Sequence, residues 1–429
     1  MSPAELSTAF FAQLALILAT CRVIGWLGRR FLGQPQVVGE MIAGVLLGPS
    51  ALGLLAPGLQ ALIFPQETKG VLFVAAQLGV GLYMFLVGLG FERSHFRLHG
   101  KSAVAVSLSG MAAPFLIAVL ITPWLMSVDG LFAAKVTPFE ATLFMGAAIS
   151  ITAFPMLARI IHERGITGTP LGTLSLSAGA IDDAAAWTVL AVVLASFGAG
   201  AAIAVKAIVG GIAFAAFMLF LGPRLFAPLG RWAERESAVS QTLLAVVLML
   251  FAASAFAMDA VGIHAVFGGF VLGCVLPRGK LADEIRRKLE PVTVVLLLPM
   301  FFTFSGLNTQ LAMVDSFPLI GVALVILAVS ILAKGVACWG AARLTGQDNA
   351  TALAIGSLMN ARGLMELIII NIGLQRGIIG PALFSVLVLM AIVTTLMASP
   401  LFEAVYGKRA RKRGELGRLS KSEAPSLEG

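Results

Sequence analysis

The chain has 429 residues, 59% of them hydrophobic and only 12% charged, where an ordinary soluble domain carries about 25% charged residues. This composition excludes a soluble globular protein and predicts an all-α polytopic membrane protein. The net charge of +8 is no nucleic-acid footprint, because the basic residues cluster at the ends of apolar segments.

Apolar stretches of about 20 residues, long enough to cross a bilayer core as helices, recur along nearly the whole chain. We count thirteen: roughly 6–28, 35–55, 70–90, 102–126, 138–161, 169–197, 200–222, 239–258, 260–277, 291–307, 316–342, 349–373 and 380–406. Of the 30 Lys and Arg, 24 fall on one side of this alternation and four (Lys69, Lys135, Lys206 and Arg376) on the other, leaving Lys334 and Arg362 inside the membrane. Basic loops stay cytoplasmic, so the N-terminus is expected outside and the C-terminus in the cytoplasm.

In chain order, the first span lacks a basic stretch before it and a small-residue cleavage site after it, and is read as retained. Glu40 opens the second span, in Gly39-Glu40-Met41-Ile42-Ala43-Gly44, where it lines an access funnel or sits at a hydrated interface. Span five contains Ser150-Ile151-Thr152-Ala153-Phe154-Pro155, and the proline removes a backbone donor and frees carbonyls of the preceding turn. His162-Glu163 follows, but Ile166 stands where a second zinc histidine would be needed, which disfavours a metalloprotease site.

Span six carries Asp182 and Asp183 in an otherwise apolar run, at an insertion cost of roughly 5 to 7 kcal/mol for the pair. Buried ionisable groups of this kind mark functional sites, and a compensating partner must exist. Asp259 and His264 are read as a solvated span end and a packed side chain, and Cys21, Cys274 and Cys338 as packing residues without metal or redox spacing. Lys334 lies mid-span in segment eleven, too deep to reach water easily, and is the best candidate counter-charge for Asp182. Span twelve is interrupted at Asn360-Ala361-Arg362-Gly363. Arg362 there offsets facing half-helix ends, repels cations, or forms a static ion pair with Glu366 or an Asp. After about residue 407 the composition becomes basic and then Ser/Glu/Gly-rich, which predicts a disordered tail over 408–429 with no further domain.

The two interrupted spans lie seven apart, so they cross the membrane in opposite directions. Spans four to six and eleven to thirteen then read as inverted repeats whose broken segments meet at a binding site. Neighbouring residues on a helix point about 100° apart, so Asp182 and Asp183 cannot share one partner. A buried carboxylate near a counter-charge can exchange a proton for a hard monovalent cation. Oxygen ligands for that cation are the hydroxyls of Ser150 and Thr152, carbonyls freed by the break, and the carboxylates.

Several ordered motifs resemble the monovalent cation:proton antiporter-2 family: Pro35-Gln36-Val37-Val38-Gly39-Glu40 with Gly44-Val45-Leu46-Leu47-Gly48-Pro49, then Thr152-Ala153-Phe154-Pro155, Ile181-Asp182-Asp183, Lys334, and Asn360-Ala361-Arg362-Gly363-Leu364. The resemblance implies the sodium/proton antiporter fold over 1–407, with a core (about 102–197 and 316–406) holding two crossing broken helices. It also implies a dimerisation scaffold (about 1–55 and 200–277), a homodimer, a bacterial-type inner membrane and elevator-type alternating access. Asp183 would bind Na+ or K+, and Asp182 would pair with Lys334 when deprotonated. Electroneutral members usually carry Asn or Gln where Asp182 stands, so the pair favours electrogenic sodium/proton exchange and leaves potassium open. We expect no cofactor, no nucleic acid and no enzymatic activity, with the transported cation, protons and lipid as partners. An intramembrane aspartyl protease needs two aspartates from separate helices, and a cation channel or organic-anion symporter fits the repeats and paired carboxylates less well.

Overall fold

The computed structural model describes residues 2–32, 34, 36–90, 93–194, 201–236, 238–263, 265–307, 317–407 and 409. Pro35, His264 and the predicted tail, apart from Arg409, lie outside the described residues. Nineteen α-helices account for nearly all of them: α1 Pro3–Leu32, α2 Gln36–Leu47, α3 Leu52–Leu55, α4 Pro57–Ile63, α5 Gln66–Leu89, α6 Arg93–Met126, α7 Pro138–Ser150, α8 Phe154–Glu163, α9 Pro170–Leu194 and α10 Ala201–Phe220. The series continues with α11 Gly222–Arg235, α12 Gln241–Val261, α13 Ala265–Val275, α14 Lys280–Val292, α15 Leu298–Leu307, α16 Phe317–Leu344, α17 Asn349–Leu358, α18 Leu364–Gln375 and α19 Pro381–Phe402. A π-helical turn at Thr293–Leu297 joins α14 to α15.

Each predicted apolar stretch falls on one of these helices or on a broken pair. Eight described helical stretches, two of them joining neighbouring helices (Gln36–Leu55 and Lys280–Leu307), are long and apolar enough to cross a membrane, or nine if Val205–Phe220 and Gly222–Arg235, bent by 48°, count as one span. Three segments expected as connecting loops are helical instead, the short α4 and the longer α11 and α14. In α11 the apolar positions Phe226 and Ala233 are buried, and in α14 Leu281, Ala282 and Ile285 are, so both are amphipathic helices with one face packed and charged residues on the other.

The chain divides into two compact units. The first comprises Met1–Ile24, Glu40–Phe91 and Leu194–Thr309. It extends beyond the predicted scaffold, because α5 packs on α13 and α15 and brings 56–91 and 278–309 with it. Glycine makes those contacts possible. A Cβ on Gly88 would stand 2.3 Å from Phe270 O, and one on Gly273 would stand 2.2 Å from Phe85 O, so the backbones of α5 and α13 touch directly, as small residues allow between membrane helices. Ile17, Cys21, Ala43, Leu47, Phe64, Leu72 and Leu307 form a core beside them.

The second unit comprises Gly25–Gly39, Glu92–Val193 and Gln310–Gly429. In it α6 packs on α7 and α16, and α19 packs on α16, α17 and α18. Both expected interruptions are present, as the extended residues between α7 and α8 and those between α17 and α18. The outer half-helices are fixed at their starts. Thr137 and Glu140 form a capping box on α7, with Thr137 N donating to Glu140 Oε2 at 2.9 Å. Asp348 caps α17, taking the Thr351 hydroxyl at 2.7 Å and a bond from Arg409. Burial works to raise the Asp348 carboxyl, but the bonds from Thr351 and Arg409 outweigh it and hold it down at about 2. A depressed carboxyl contributes stability at neutral pH and loses it only as pH falls through its folded value.

Two outcomes are expected. Gly273→Val places carbon atoms against the α5 backbone and should lower the melting temperature of the detergent-solubilised protein markedly, since overpacking costs about 1–3 kcal/mol or more. Asp348→Ala should cost about 1 kcal/mol and show as faster hydrogen exchange in the first turn of α17, with α7 unchanged.

Candidate functional site

Four charged side chains meet at the breaks inside the second unit, Asp182 with Lys334 and Arg362 with Glu366, and Asp183 follows Asp182 on α9. At the first break Ile151 and Ala153 are extended, with φ, ψ of −78°, 135° and −80°, 97°, because Pro155, in the first turn of α8, cannot continue α7. At the second, Gly363 begins α18. The links touch where Ala153 N donates to Ala361 O at 2.9 Å. A Cβ on Gly363 would meet Met156 Cγ at 2.9 Å and Ala153 Cβ at 3.1 Å, so close approach is the reason for glycine there.

Asp182 is fully buried and takes three bonds from three helices or links. Ser107 Oγ donates to Oδ1 at 2.6 Å, Thr152 Oγ1 stands 2.7 Å from Oδ2, and Lys334 Nζ donates to Oδ2 at 2.9 Å. The Thr152 hydroxyl is also 3.0 Å from Met359 O, so its single proton serves one acceptor at a time. Lys334 is likewise fully buried. Its other two protons reach Ser150 O and Gly110 O, the latter at 3.4 Å, so the ammonium is satisfied without water. Gly110 has no room for a side chain, because a Cβ would lie 2.6 Å from Cys338 Sγ, and this lets α6 and α16 close on one another. Asp183 is buried, 2% exposed.

Arg362 is also fully buried. Its guanidinium donates to Ala148 O at 3.1 Å and Ile149 O at 2.6 Å, at the negative end of α7, and stands 3.4 Å from Glu366 Oε1. Two of the alternatives left open by the sequence are therefore realised together, the half-helix end and the Glu366 pair. Ser150 departs from expectation. Its hydroxyl turns back onto its own helix, 3.3 Å from Ala147 O, and the residue meets the site through its carbonyl. Asn360 Nδ2 closes on Gly356 O at 2.9 Å, and Phe154 starts α8. Glu40 belongs to the first unit and is 2% exposed, its carbonyl 3.9 Å from Cys21 Sγ, so its side chain is not at a hydrated interface. Asp259 is exposed, and the three cysteines are buried thiols outside any disulfide.

Sequence reasoning missed Ser107 and Thr395. Ser107 is one of several small polar residues in its span, and nothing in its spacing singles it out. Thr395 accepts from Arg362 N at 2.9 Å and donates to Arg362 O at 2.8 Å, a clamp invisible without the fold. With Asp182, Asp183 and Glu366 ionised against Lys334 and Arg362, the cluster carries a formal charge of −1. One monovalent cation or one proton makes it neutral.

The model of the sodium/hydrogen exchanger transmembrane family matches residues 15–405. Among curated proteins, the Na(+)/H(+) antiporter NhaS4 of Synechocystis sp. is 38% identical over 403 residues, covering 92% of this chain and 96% of that one. The Cation/H(+) antiporter 18 of Arabidopsis thaliana is 34% identical over 414 residues, covering 94% of this chain and 50% of that protein. Among solved structures, the sodium proton antiporter MjNhaP1 from Methanocaldococcus jannaschii at pH 8 superposes with a TM-score of 0.62 at 16% identity, over 96% of this chain and 100% of that one.

Removing one member of a buried ion pair costs about 3–5 kcal/mol, because the other charge is left uncompensated. Lys334→Met should therefore lower the melting temperature strongly. Adding Asp182→Asn to the same chain should restore part of the loss, and a thermal melt of the single and double variants measures that coupling.

Proposed function

The chain belongs to the sodium/hydrogen exchanger family, and on that premise we propose that it exchanges a monovalent cation, sodium, for protons by alternating access. The observation that carries this reading is the buried cluster with its single excess negative charge at the crossing of two broken helices. A low-dielectric interior strongly disfavours an uncompensated charge, so the site takes up one positive charge, cation or proton. The two then compete. If the site opens to one face at a time, downhill protons drive the cation uphill.

Within the site, Asp183 binds the cation or a proton. Its other oxygen ligands are drawn from the carbonyls released at the breaks and from Thr152, whose hydroxyl stands on the neighbouring Asp182. Asp182 is the partner of Lys334, and protonation of that pair frees the lysine for the other half of the cycle. A second protonation step makes the exchange electrogenic, with more protons than cations per turn. Sodium is supported by the relative named for Na+/H+ exchange, which aligns over nearly its full length.

The surrounding architecture follows the same reading. The segments about 102–197 and 316–406 form the moving core, and the segments about 1–55 and 200–277 form a scaffold through which two copies dimerise in the inner membrane. The Lys and Arg asymmetry supports an external N-terminus and a cytoplasmic C-terminus.

Asp183→Asn is expected to abolish exchange. In proteoliposomes carrying a pH-sensitive dye, the wild-type protein should move protons on addition of sodium or lithium, more weakly with potassium, and faster under a membrane potential of the favourable sign. Proton movement by the Asp183→Asn variant on adding sodium would remove the site assignment. A wild-type response to potassium alone would replace sodium by potassium.

A further inference from the structure

Glu366 enters the exchange cycle described above only through the charge of the cluster, and its surroundings are unusual for a buried ion pair. It stands in the first turn of α18 with its side chain 1% exposed. One oxygen, Oε1, is 3.4 Å from Arg362 Nη1. The other, Oε2, has no hydrogen-bond partner among the described residues, and neither has Arg362 Nε. Arg362 does not depend on this contact for its position. Its shorter bonds go to Ala148 O and Ile149 O, and its backbone is clamped on both sides by the Thr395 hydroxyl.

The charged group in contact with Glu366 is Arg362, and Lys334 stands at Ser150 O, beside the α7 carbonyls that Arg362 holds. Of the helices packed on α18, α7 carries only Glu140, in its first turn at the opposite end, and α19 carries no charged residue. The carboxylate is therefore answered by one long contact on one oxygen. A buried acceptor without a partner is costly, and among the described residues no donor reaches Oε2.

We infer that Glu366 is a second proton-binding site, whose occupancy sets the affinity of the aspartate pair for the cation. A proton arriving from solution forms an O–H bond at the carboxylate, and no other covalent bond changes. Arg362 stays on the α7 carbonyls, and its positive charge is then no longer balanced by Glu366. With Glu366 ionised the five side chains sum to −1 and attract a cation. With Glu366 protonated they sum to zero, and that attraction is lost. Falling pH thus weakens cation binding twice, by competition at the aspartates and by this change in the charge around them. The inference rests on the exchange reading, so it is tested by binding as well as by transport.

The test compares the full-length wild-type protein with Glu366→Gln and Glu366→Asp, measuring sodium binding by calorimetry in detergent and sodium-driven exchange in proteoliposomes, both across neutral and alkaline pH. Glu366→Gln mimics the protonated form. At alkaline pH its Kd and KM for sodium should be roughly tenfold above wild type, the scale of one unit charge acting across about 10 Å of protein, and kcat should change much less. Its Kd should also vary less steeply with pH. Glu366→Asp, which keeps the charge, should stay close to wild type in both respects. A Glu366→Gln protein with the wild-type dependence of Kd on pH overturns the inference. So does one in which both variants lose melting temperature and kcat together at unchanged KM, which is the signature of a purely structural residue. A wild-type protein that binds sodium but exchanges nothing overturns the exchange reading alone, and the calorimetric comparison then still decides the role of Glu366.

Discussion

A charged amine buried between membrane helices is tolerated only if every proton has an acceptor and a counter-charge is close, and Lys334 meets both conditions. Its three protons go to Asp182 Oδ2, Ser150 O and Gly110 O. Those acceptors come from α9, the end of α7 and α6, so one side chain on α16 ties four helices together. Burying the two ions costs several kcal/mol each, and well-packed apolar residues in their place would often be neutral or stabilising. Stability alone is a weak reason to keep such a pair.

The broken helices set the electrostatic frame for that pair. Where α7 ends, its last carbonyls are left without intrahelical partners and carry the negative end of the helix dipole. Two fixed cations answer them, Arg362 at Ala148 O and Ile149 O and Lys334 at Ser150 O. The same two cations pair with two carboxylates of the cluster, Lys334 with Asp182 and Arg362 with Glu366. Neutralising the helix end and balancing the carboxylates are therefore one task, and with all three carboxylates ionised it leaves an excess of one negative charge. The links between half-helices share one backbone bond, Ala153 to Ala361, and touch through Gly363. The crossing is thus held by side-chain clamps such as Thr395 on Arg362 rather than by a continuous ladder.

The sequence alone determined the features that depend on local chemistry. Apolar stretches of bilayer length, the proline and glycine that interrupt two of them, and the few charges left at membrane depth are each properties of a short window of residues. The membrane class, the positions of both breaks and the charged candidates Asp182, Asp183, Lys334 and Arg362 could be read from those windows, with Glu366 only as a static partner. Helical amphipathicity in α11 and α14 was also present in the sequence, but charged segments between apolar spans look like loops until a packing partner exists for Phe226 or Ile285.

Tertiary structure decided the pairings. Asp182 and Lys334 are 152 residues apart, and Ser107 and Asp182 are 75 apart. Which atoms meet depends on the rotation of each helix about its axis, and that rotation is fixed by contacts such as Gly110 against Cys338. For this reason the sequence offered the Ser150 hydroxyl as a ligand, while the fold presents its carbonyl. It left Glu40 between a funnel and a hydrated interface, while the fold buries it, and it gave no sign of Ser107. Hydrophobicity and backbone interruption are inherited from the local chain, whereas electrostatic complementarity in a low-dielectric interior exists only once distant helices have been brought together.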